Sequence, residues 1–218
     1  SPRILLIIGG GIAAYKSIRL VRLLQRIFPA EPEISGLAAL MLLQHSRRDA
    51  RHDGDGQIIL LEDQDRTLWD RRQIEGALAL LGKAIRPRKP GPFQAQAAIA
   101  ALHARARTAE DTDWTEIELL YQLLERLNPS PVVSLNRVVA VSKVRGASEA
   151  LAMLEPLSDA LDGYFYFHGV RGALLAQTGE TREAREAFGR AIALARSPAE
   201  AAHVRQELDK LKEESLAS

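Results

Sequence analysis

The chain has 218 residues, 46% hydrophobic and 26% charged, which is typical of a globular protein with a sizeable core. Its 29 basic and 28 acidic residues give a net charge of +1, which excludes a bulk electrostatic drive toward nucleic acid or an anionic membrane. The absence of cysteine excludes disulfides, thiolate metal sites and a cysteine nucleophile, and it suits a cytoplasmic protein. No apolar run approaches the roughly 18 residues that a membrane-spanning helix needs.

Residues 1–16 differ in character from the rest of the chain. Residues 4–8 are all Ile or Leu, which predicts a strand buried on both faces, and a glycine turn follows at 9–11. Helices are predicted next over 12–28 and 32–45. We expect the strand-like arm to pack on these helices or to pair with another chain, which would give a route to self-association.

The turn formed by Gly9, Gly10 and Gly11 has the arrangement of a phosphate-binding loop, because it follows a strand and precedes a helix N-terminus. Residues 3–16 resemble the opening of the flavin-dependent phosphopantothenoylcysteine decarboxylase family. The resemblance implies that the three glycines contact an FMN phosphate, and it gives an alternative function: an FMN-binding flavoprotein (decarboxylase) fragment. No strand–helix alternation follows to complete such a site, so no cofactor is predicted.

The acidic loop around Gly56 is a candidate metal site. With Gly56 at the sixth position of an EF-hand loop, Asp53, Asp55 and Glu62 fall on positions three, five and twelve. Arg51 falls on position one, where its charge repels Ca²⁺, so a tight Asp-Gly turn is the default. The five histidines lack the spacing of a zinc site. No metal is predicted.

Two segments place carboxylates just before a tryptophan. The residues concerned are Asp63, Asp65, Arg66 and Trp69 in the first segment and Asp111, Asp113 and Trp114 in the second. Paired carboxylates can perform acid–base chemistry, but Asp also caps helices. We expect Asp65 to cap the helix that carries Trp69, and Arg66 to pair with Asp63. A threonine or aspartate directly before Trp114 can cap the next helix. These segments indicate structural staples or a groove for a partner.

Asn136 and Arg137 form a polar pair inside an apolar helix predicted over 132–141. If the pair is buried, it must be hydrogen-bonded. One of the aspartate clusters is the expected partner, and such a contact would lock neighbouring repeats together. A ligand-facing role on a concave surface is the alternative.

A period of 34 residues runs through the C-terminal half. Small or apolar residues recur at this spacing in three pairs: Ala150 and Ala184, Leu154 and Phe188, and Leu157 and Ala191. Gly146 and Gly179, in apparent turns, are 33 apart. The period is that of the tetratricopeptide repeat, and in the last unit Gly172 and Phe188 occupy its small and large positions. The predicted units are 97–130, 131–164 and 165–198, with a capping helix at 204–211.

The predicted fold is all-α: a tetratricopeptide-like helical repeat array with a short N-terminal strand-like arm. The predicted domains are the arm of foreign character at 1–16, a helical subdomain with the acidic loop at 17–92, and the repeats with their capping helix at 93–218. One repeat cannot bury its apolar face alone, so stacking stabilises the array and leaves an extended surface for a partner.

Five ordered segments, at 31–43, 60–66, 97–103, 110–114 and 131–137, carry a second resemblance. From 17 to 211 the chain resembles the tetratricopeptide-like C-terminal extension of bacterial extracytoplasmic-function sigma factors. The resemblance implies a regulatory module that lacks the promoter-binding regions two and four. It implies those regions or RNA polymerase as partners, without direct contact to nucleic acid or membrane. The residues that match the family motifs, partner-binding or architectural, are Asp63, Asp65, Arg66, Trp69, Asp111, Asp113, Trp114, Asn136 and Arg137.

The two resemblances meet near residue 17, which suggests a chimera. The leading hypothesis from the sequence is a protein-interaction module without catalytic residues. The competing hypothesis is an enzyme, the FMN-dependent decarboxylase fragment.

Overall fold

A computed structural model describes residues 21, 23, 25–28, 30–54 and 59–217. Over these residues the chain is helical between short turns and contains no strand, which confirms the all-α prediction for them. The predicted arm and the glycine turn at 9–11 lie outside the described residues. The α-helices are Pro32–Ser46 (α1), Arg71–Ile85 (α2), Pro92–Arg105 (α3), Trp114–Leu127 (α4), Pro131–Arg145 (α5), Ala147–Leu154 (α6), Ser158–Leu161 (α7), Phe165–Gln177 (α8), Thr181–Leu194 (α9) and Pro198–Ala217 (α10).

The chain divides into two compact units. The first unit comprises residues 1–50 and 64–112, and the second comprises residues 51–63 and 113–218. The proline-rich segment at 86–92 and helix α3 both belong to the first unit.

The first unit is built around α1, which packs against both α2 and α3. A Cβ atom on Gly36 would lie 2.9 Å from the backbone nitrogen of Gln94, so α1 and α3 cross closely. Helix α3 has no capping side chain of its own. The carboxylate of Glu33 on α1 instead accepts hydrogen bonds from the backbone nitrogens of Phe93 (3.0 Å) and Gln94 (3.1 Å). Glu33 thus satisfies two of the open amides at the start of α3.

The second unit is a series of packed helices in which α4 contacts α5, α5 contacts α6, α8 contacts α9, and α9 contacts α10. Its apolar core includes Leu135, Val138, Leu154 and Phe167 in one cluster and Leu175, Phe188, Val204 and Leu211 in another. Two glycines with positive φ mark the turns after α5 and α8, Gly146 at 90° and Gly179 at 84°. A residue with a Cβ atom is strained at these φ values, so both turns require glycine.

Two elements differ from their sequence predictions. The helix predicted from residue 65 is a 3₁₀ turn, Arg66–Leu68, followed by α2, because the Asp70 side chain caps α2 by accepting from the backbone nitrogen of Gln73. The capping helix predicted at 204–211 is part of the longer α10. In the described ranges, none of the helices has both the length and the apolarity that crossing a bilayer requires.

Candidate interaction surface

The first acidic segment forms caps and a buried cation–aromatic contact in the first unit. The Asp65 carboxylate accepts from the backbone nitrogen of Thr67 at 2.8 Å and from its hydroxyl at 2.7 Å. These bonds lower the pKa of Asp65 and close the 3₁₀ turn. Asp65 was predicted to cap a helix that carries Trp69. That prediction is wrong, because Asp65 caps the 3₁₀ turn and helix α2 begins only after Trp69. Asp63 is exposed, with its backbone nitrogen in a turn with the carbonyl of Leu60.

Arg66 is buried and supports the end of α3. Its guanidinium donates to the carbonyls of His103 (2.5 Å) and Ala106 (3.1 Å), and it lies 4.8 Å from the centroid of the buried Trp69 ring. The expectation that Arg66 pairs with Asp63 is therefore wrong, because backbone carbonyls at the helix end take its donors. Burial lowers the pKa of Arg66. Arg66 and Trp69 are architectural: they hold the C-terminal end of α3, where open carbonyls favour a cation.

His103 lies close to two cations, the guanidinium groups of Arg47 and Arg66. Burial, followed by the positive charges of Arg47 and Arg66, lowers the pKa of His103 from 6.5 to about 4. The imidazole is therefore neutral at physiological pH, since protonation would add a third positive charge to the same place. Sequence reasoning missed this group, because its charged neighbours, Arg47 and Arg66, come from two distant parts of the chain.

The second acidic segment divides between the two units. In the first unit, Asp111 accepts from the backbone nitrogen of Thr108 at 3.2 Å and closes a turn. In the second, Asp113, one of the two caps that the sequence offered, caps α4 by accepting from the backbone nitrogen of Glu116 at 2.9 Å. Trp114, the first residue of α4, is half-buried.

Arg137 pairs with glutamates of the preceding helix. Its guanidinium lies 2.8 Å from Glu125 and 3.6 Å from Glu118, both on α4, and its side chain is 19% exposed. The prediction that an aspartate cluster is its partner is wrong. Glu118 also pairs with Arg145 at 2.6 Å, and Arg145 pairs with Glu149 on α6 at 3.0 Å. This network joins α4, α5 and α6. Glu118 and Glu125 are seven residues apart on one helical face, which was the available signal in the sequence.

Asn136, unlike Arg137, is exposed. On α5 it lies between two other exposed residues, Val132 (37%) and Lys143, at spacings of four and seven residues that keep all three on one face. Tyr166 on α8 is 52% exposed and lies 34 residues after Val132. We call Val132, Asn136, Lys143 and Tyr166 the first-helix surface, because α5 and α8 are the first helices of successive pairs.

Aromatic side chains support Tyr166 at its end of this surface. Its ring lies 5.5 Å from that of Tyr164 and 5.0 Å, edge-on, from that of Phe165. Burial, followed by Glu200 and Tyr164, raises the pKa of Tyr166, so the phenol stays neutral at physiological pH. The first-helix surface thus combines apolar, amide and cationic groups, a set suited to binding peptide.

The described residues include no group of three or more His, Asp or Glu placed to hold a metal ion. Of the EF-hand candidates, Asp55 lies outside the described residues, and the same holds for the three glycines of the flavin hypothesis.

Two comparisons show which known proteins this chain is similar to, and neither of the matches carries a description of function. Residues 12–85 match a family of unknown function (DUF6596), which is about a third of the chain. An uncharacterized protein of Rhizobium meliloti (strain 1021) is 64% identical over 199 residues, which cover 91% of this chain and 47% of that protein. The chain therefore spans about half the length of this relative.

Proposed function

We propose that the chain is a non-catalytic protein-interaction module, the regulatory C-terminal domain of a sigma factor, and that its second unit is a tetratricopeptide-like array. The proposal starts from the resemblance of residues 17–211 to the extension of extracytoplasmic-function sigma factors. The relative of about twice the matched length is compatible with a larger protein that carries further regions.

The helix pairing of the second unit supports the repeat assignment. Helices α5 and α6 fall within the predicted unit 131–164, and α8 and α9 fall within 165–198. The turns at Gly146 and Gly179 repeat the same positive-φ conformation 33 residues apart. In the last unit a Cβ on Gly172 would lie 2.5 Å from the ring of Phe188, which is the close approach that a small–large pair between paired helices requires.

The single observation that carries the binding function is the periodic exposure of Val132 and Tyr166. Large apolar side chains normally move inward, and these two instead face solvent at equivalent positions of successive first helices. Residues exposed at equivalent positions of successive repeats lie on the extended surface that a helical array uses to bind partners.

The proposed partners are sigma regions two and four or RNA polymerase, in the cytoplasm. The near-zero net charge argues against direct binding to nucleic acid or to an anionic membrane. Asn136 and Tyr166 are the proposed partner-binding residues, whereas Arg66, Trp69, Asp113 and Arg137 are architectural.

A pull-down with purified components tests this function. The chain is immobilised and offered separately produced sigma region two, sigma region four and RNA polymerase core enzyme. We expect saturable binding to at least one of the three. Failure of all three to bind would overturn the proposed function.

A further inference from the structure

Basic residues are concentrated in one part of the first unit. From residue 76 to residue 109 the chain has six Lys or Arg and no Asp or Glu, although the net charge of the whole chain is only +1. We call residues 83–93 the basic connector; they comprise the end of α2, the proline-rich segment and the start of α3. Four of the six cations lie in it, and all four are exposed: Lys83, Arg86, Arg88 and Lys89.

The cations of the basic connector have no acidic counterpart in the described parts of the chain, where none of the four forms an ion pair. The stability of α2 explains two of them. Lys83 lies in the last turn of α2 and Arg86 is its C-cap residue, and cations at these positions interact favourably with the open carbonyls of a helix end. Arg88 and Lys89 lie beyond that helix, where this interaction falls off.

A carboxylate does contact the connector, but its oxygens are used by the backbone. The two oxygens of Glu33 on α1 accept hydrogen bonds from the backbone nitrogens of Phe93 and Gln94. Glu33 is therefore engaged in capping α3, and the exposed cations of the connector remain available to a carboxylate from outside the chain.

Hydrogen bonds hold the backbone of the basic connector in place. The backbone nitrogen of Arg88 donates to the carbonyl of Ile85 at 3.0 Å, and the side-chain amide of the buried Gln94 donates to the carbonyl of Lys89 at 2.9 Å. Arg88 has a φ of 53°, a conformation that normally selects glycine or asparagine. The chain thus carries a cation at a position where glycine would relieve strain. A fixed backbone lowers the entropy cost of binding a partner.

Two exposed apolar side chains accompany the cations. Ile85 is 55% exposed and Phe93 is 38% exposed, so an anionic partner that also carries apolar groups gains by burying them. Nucleic acid fits this surface less well than an acidic peptide does. Sites for single-stranded nucleic acid stack successive bases on several aromatic rings, and Phe93 is the one aromatic residue of the connector.

We propose that the basic connector is a docking surface for an acidic protein segment, whose carboxylates pair with Arg86, Arg88 and Lys89 and whose apolar side chains cover Ile85 and Phe93. Arginine suits this role because its guanidinium binds a carboxylate through two parallel hydrogen bonds. The inference goes beyond the proposed function, which places partner binding on the first-helix surface of the second unit.

A peptide titration with the full chain tests this docking surface. The probe is a fluorescein-labelled synthetic peptide of glutamates interrupted by one leucine and one phenylalanine, and binding is followed by fluorescence anisotropy at low salt. A companion peptide has serine at the two apolar positions. Oligothymidylate and phosphatidylglycerol vesicles are titrated in parallel, because they present phosphates instead of carboxylates.

A triple variant and a matched control test the contribution of charge. The triple variant is Arg86→Gln, Arg88→Gln, Lys89→Gln, and we expect it to bind the probe about ten-fold more weakly, the combined factor of three exposed ion pairs. The control removes the same charge from three exposed arginines of the first unit outside the connector: Arg72→Gln, Arg105→Gln and Arg107→Gln. Its affinity should stay within about two-fold of that of the unaltered chain, because remote exposed charges contribute little.

A double variant, Ile85→Ser with Phe93→Ser, tests the apolar contacts. The unaltered chain should bind the probe more tightly than the companion peptide. The double variant should bind both peptides with the lower affinity, because it lacks the side chains that the leucine and phenylalanine of the probe cover. Circular dichroism of all three variants checks that their helical content is unchanged.

Several results would overturn the inference: no binding of the probe, an equal loss in the triple variant and its control, or equal affinity of the unaltered chain for both peptides. Tighter binding of oligothymidylate or of the vesicles would also overturn it, by assigning the surface to phosphates. Self-association of the chain that the triple variant abolishes, measured by sedimentation, would do the same, by making a second copy the occupant. The titration uses no sigma region, so its outcome is separate from that of the pull-down.

Discussion

The ring of Phe188 on α9 fills the space that Gly172 on α8 leaves empty. A Cβ atom at Gly172 would lie 2.5 Å from Cδ1 and 2.6 Å from Cε1 of that ring. Both residues are buried, so the contact sets how closely α8 and α9 approach. The repeat pattern in the sequence predicted that small residues let the paired helices approach closely and that the aromatic ring fills the gap between repeats; in the structure the ring of Phe188 lies against Gly172 of the paired helix.

Gly172→Ala should therefore destabilise the second unit. The added methyl group meets a packed ring, and overpacking of this kind costs about 1–3 kcal/mol, which outweighs the helical preference for alanine over glycine of about 1 kcal/mol. Urea unfolding measures the change in the free energy of unfolding.

Gly169→Ala on the same helix is the matched control. A Cβ at Gly169 meets nothing within 4 Å, so this variant should gain about 0.5–1 kcal/mol. Equal effects of the two substitutions would contradict the packing account.

Arg137→Met should lower the free energy of unfolding by about 1–3 kcal/mol, because it leaves the partly buried Glu125 without its cation and leaves Glu118 paired with Arg145 alone. The side chains of Glu118 and Glu125 are 15% and 22% exposed. Arg182→Met provides a control, since Arg182 pairs with Glu183 at a side-chain exposure of 82%. We expect no measurable change from the control by thermal denaturation, and an unchanged midpoint for Arg137→Met would speak against the network.

Glu33→Ala should remove the cap that α1 supplies to α3. Loss of a capping side chain costs about 0.5–2 kcal/mol, here through the open amides of Phe93 and Gln94. Glu31, which forms no side-chain cap on α1, is the comparison, and Glu31→Ala should change stability by less than about 0.5 kcal/mol. Hydrogen exchange at the first turn of α3 should accelerate in Glu33→Ala alone, and equal exchange in both variants would refute the cap.

The lowered pKa of His103 predicts acid sensitivity. The folded-state pKa of about 4 lies below the ordinary value of 6.5, so between these values the unfolded chain binds more protons than the folded chain. The contribution of neutral His103 to the free energy of unfolding, about 1–3 kcal/mol, is fully present above pH 6.5 and is lost as the pH falls toward 4. His103→Gln should flatten this part of the pH profile of unfolding. An unaltered profile would show that other groups dominate.

Local patterns in the sequence predicted the helices of the second unit, the turns at Gly146 and Gly179, and the cap by Asp113. Each of these features depends on residues within one or two helical turns of each other, or on a sequence pattern that recurs from one repeat to the next. The 3₁₀ turn before α2 escaped prediction because Asp65 and Asp70 are both good caps, and each caps its own element, Asp65 the 3₁₀ turn and Asp70 helix α2.

Contacts between distant residues were not predictable in the same way. Arg137 had several acidic candidates, and only the pairing of α4 with α5 selects Glu125. Residues 51–63 belong to the second unit, and Glu62 in this segment pairs with Lys143 across 81 positions. The exposure of Val132 and Tyr166 also required the fold, because each looks like an ordinary core residue in its own helix.

The most direct test of the binding function compares two surface changes of equal kind. The Val132→Glu, Tyr166→Glu double variant alters the first-helix surface, and Leu119→Glu alters a more exposed apolar residue on α4, at 60% exposure. Affinity for sigma regions two and four is measured by isothermal titration calorimetry. The account predicts a loss of at least about ten-fold for the double variant and none for Leu119→Glu. Unchanged affinity of the double variant, or an equal loss in both, would contradict it.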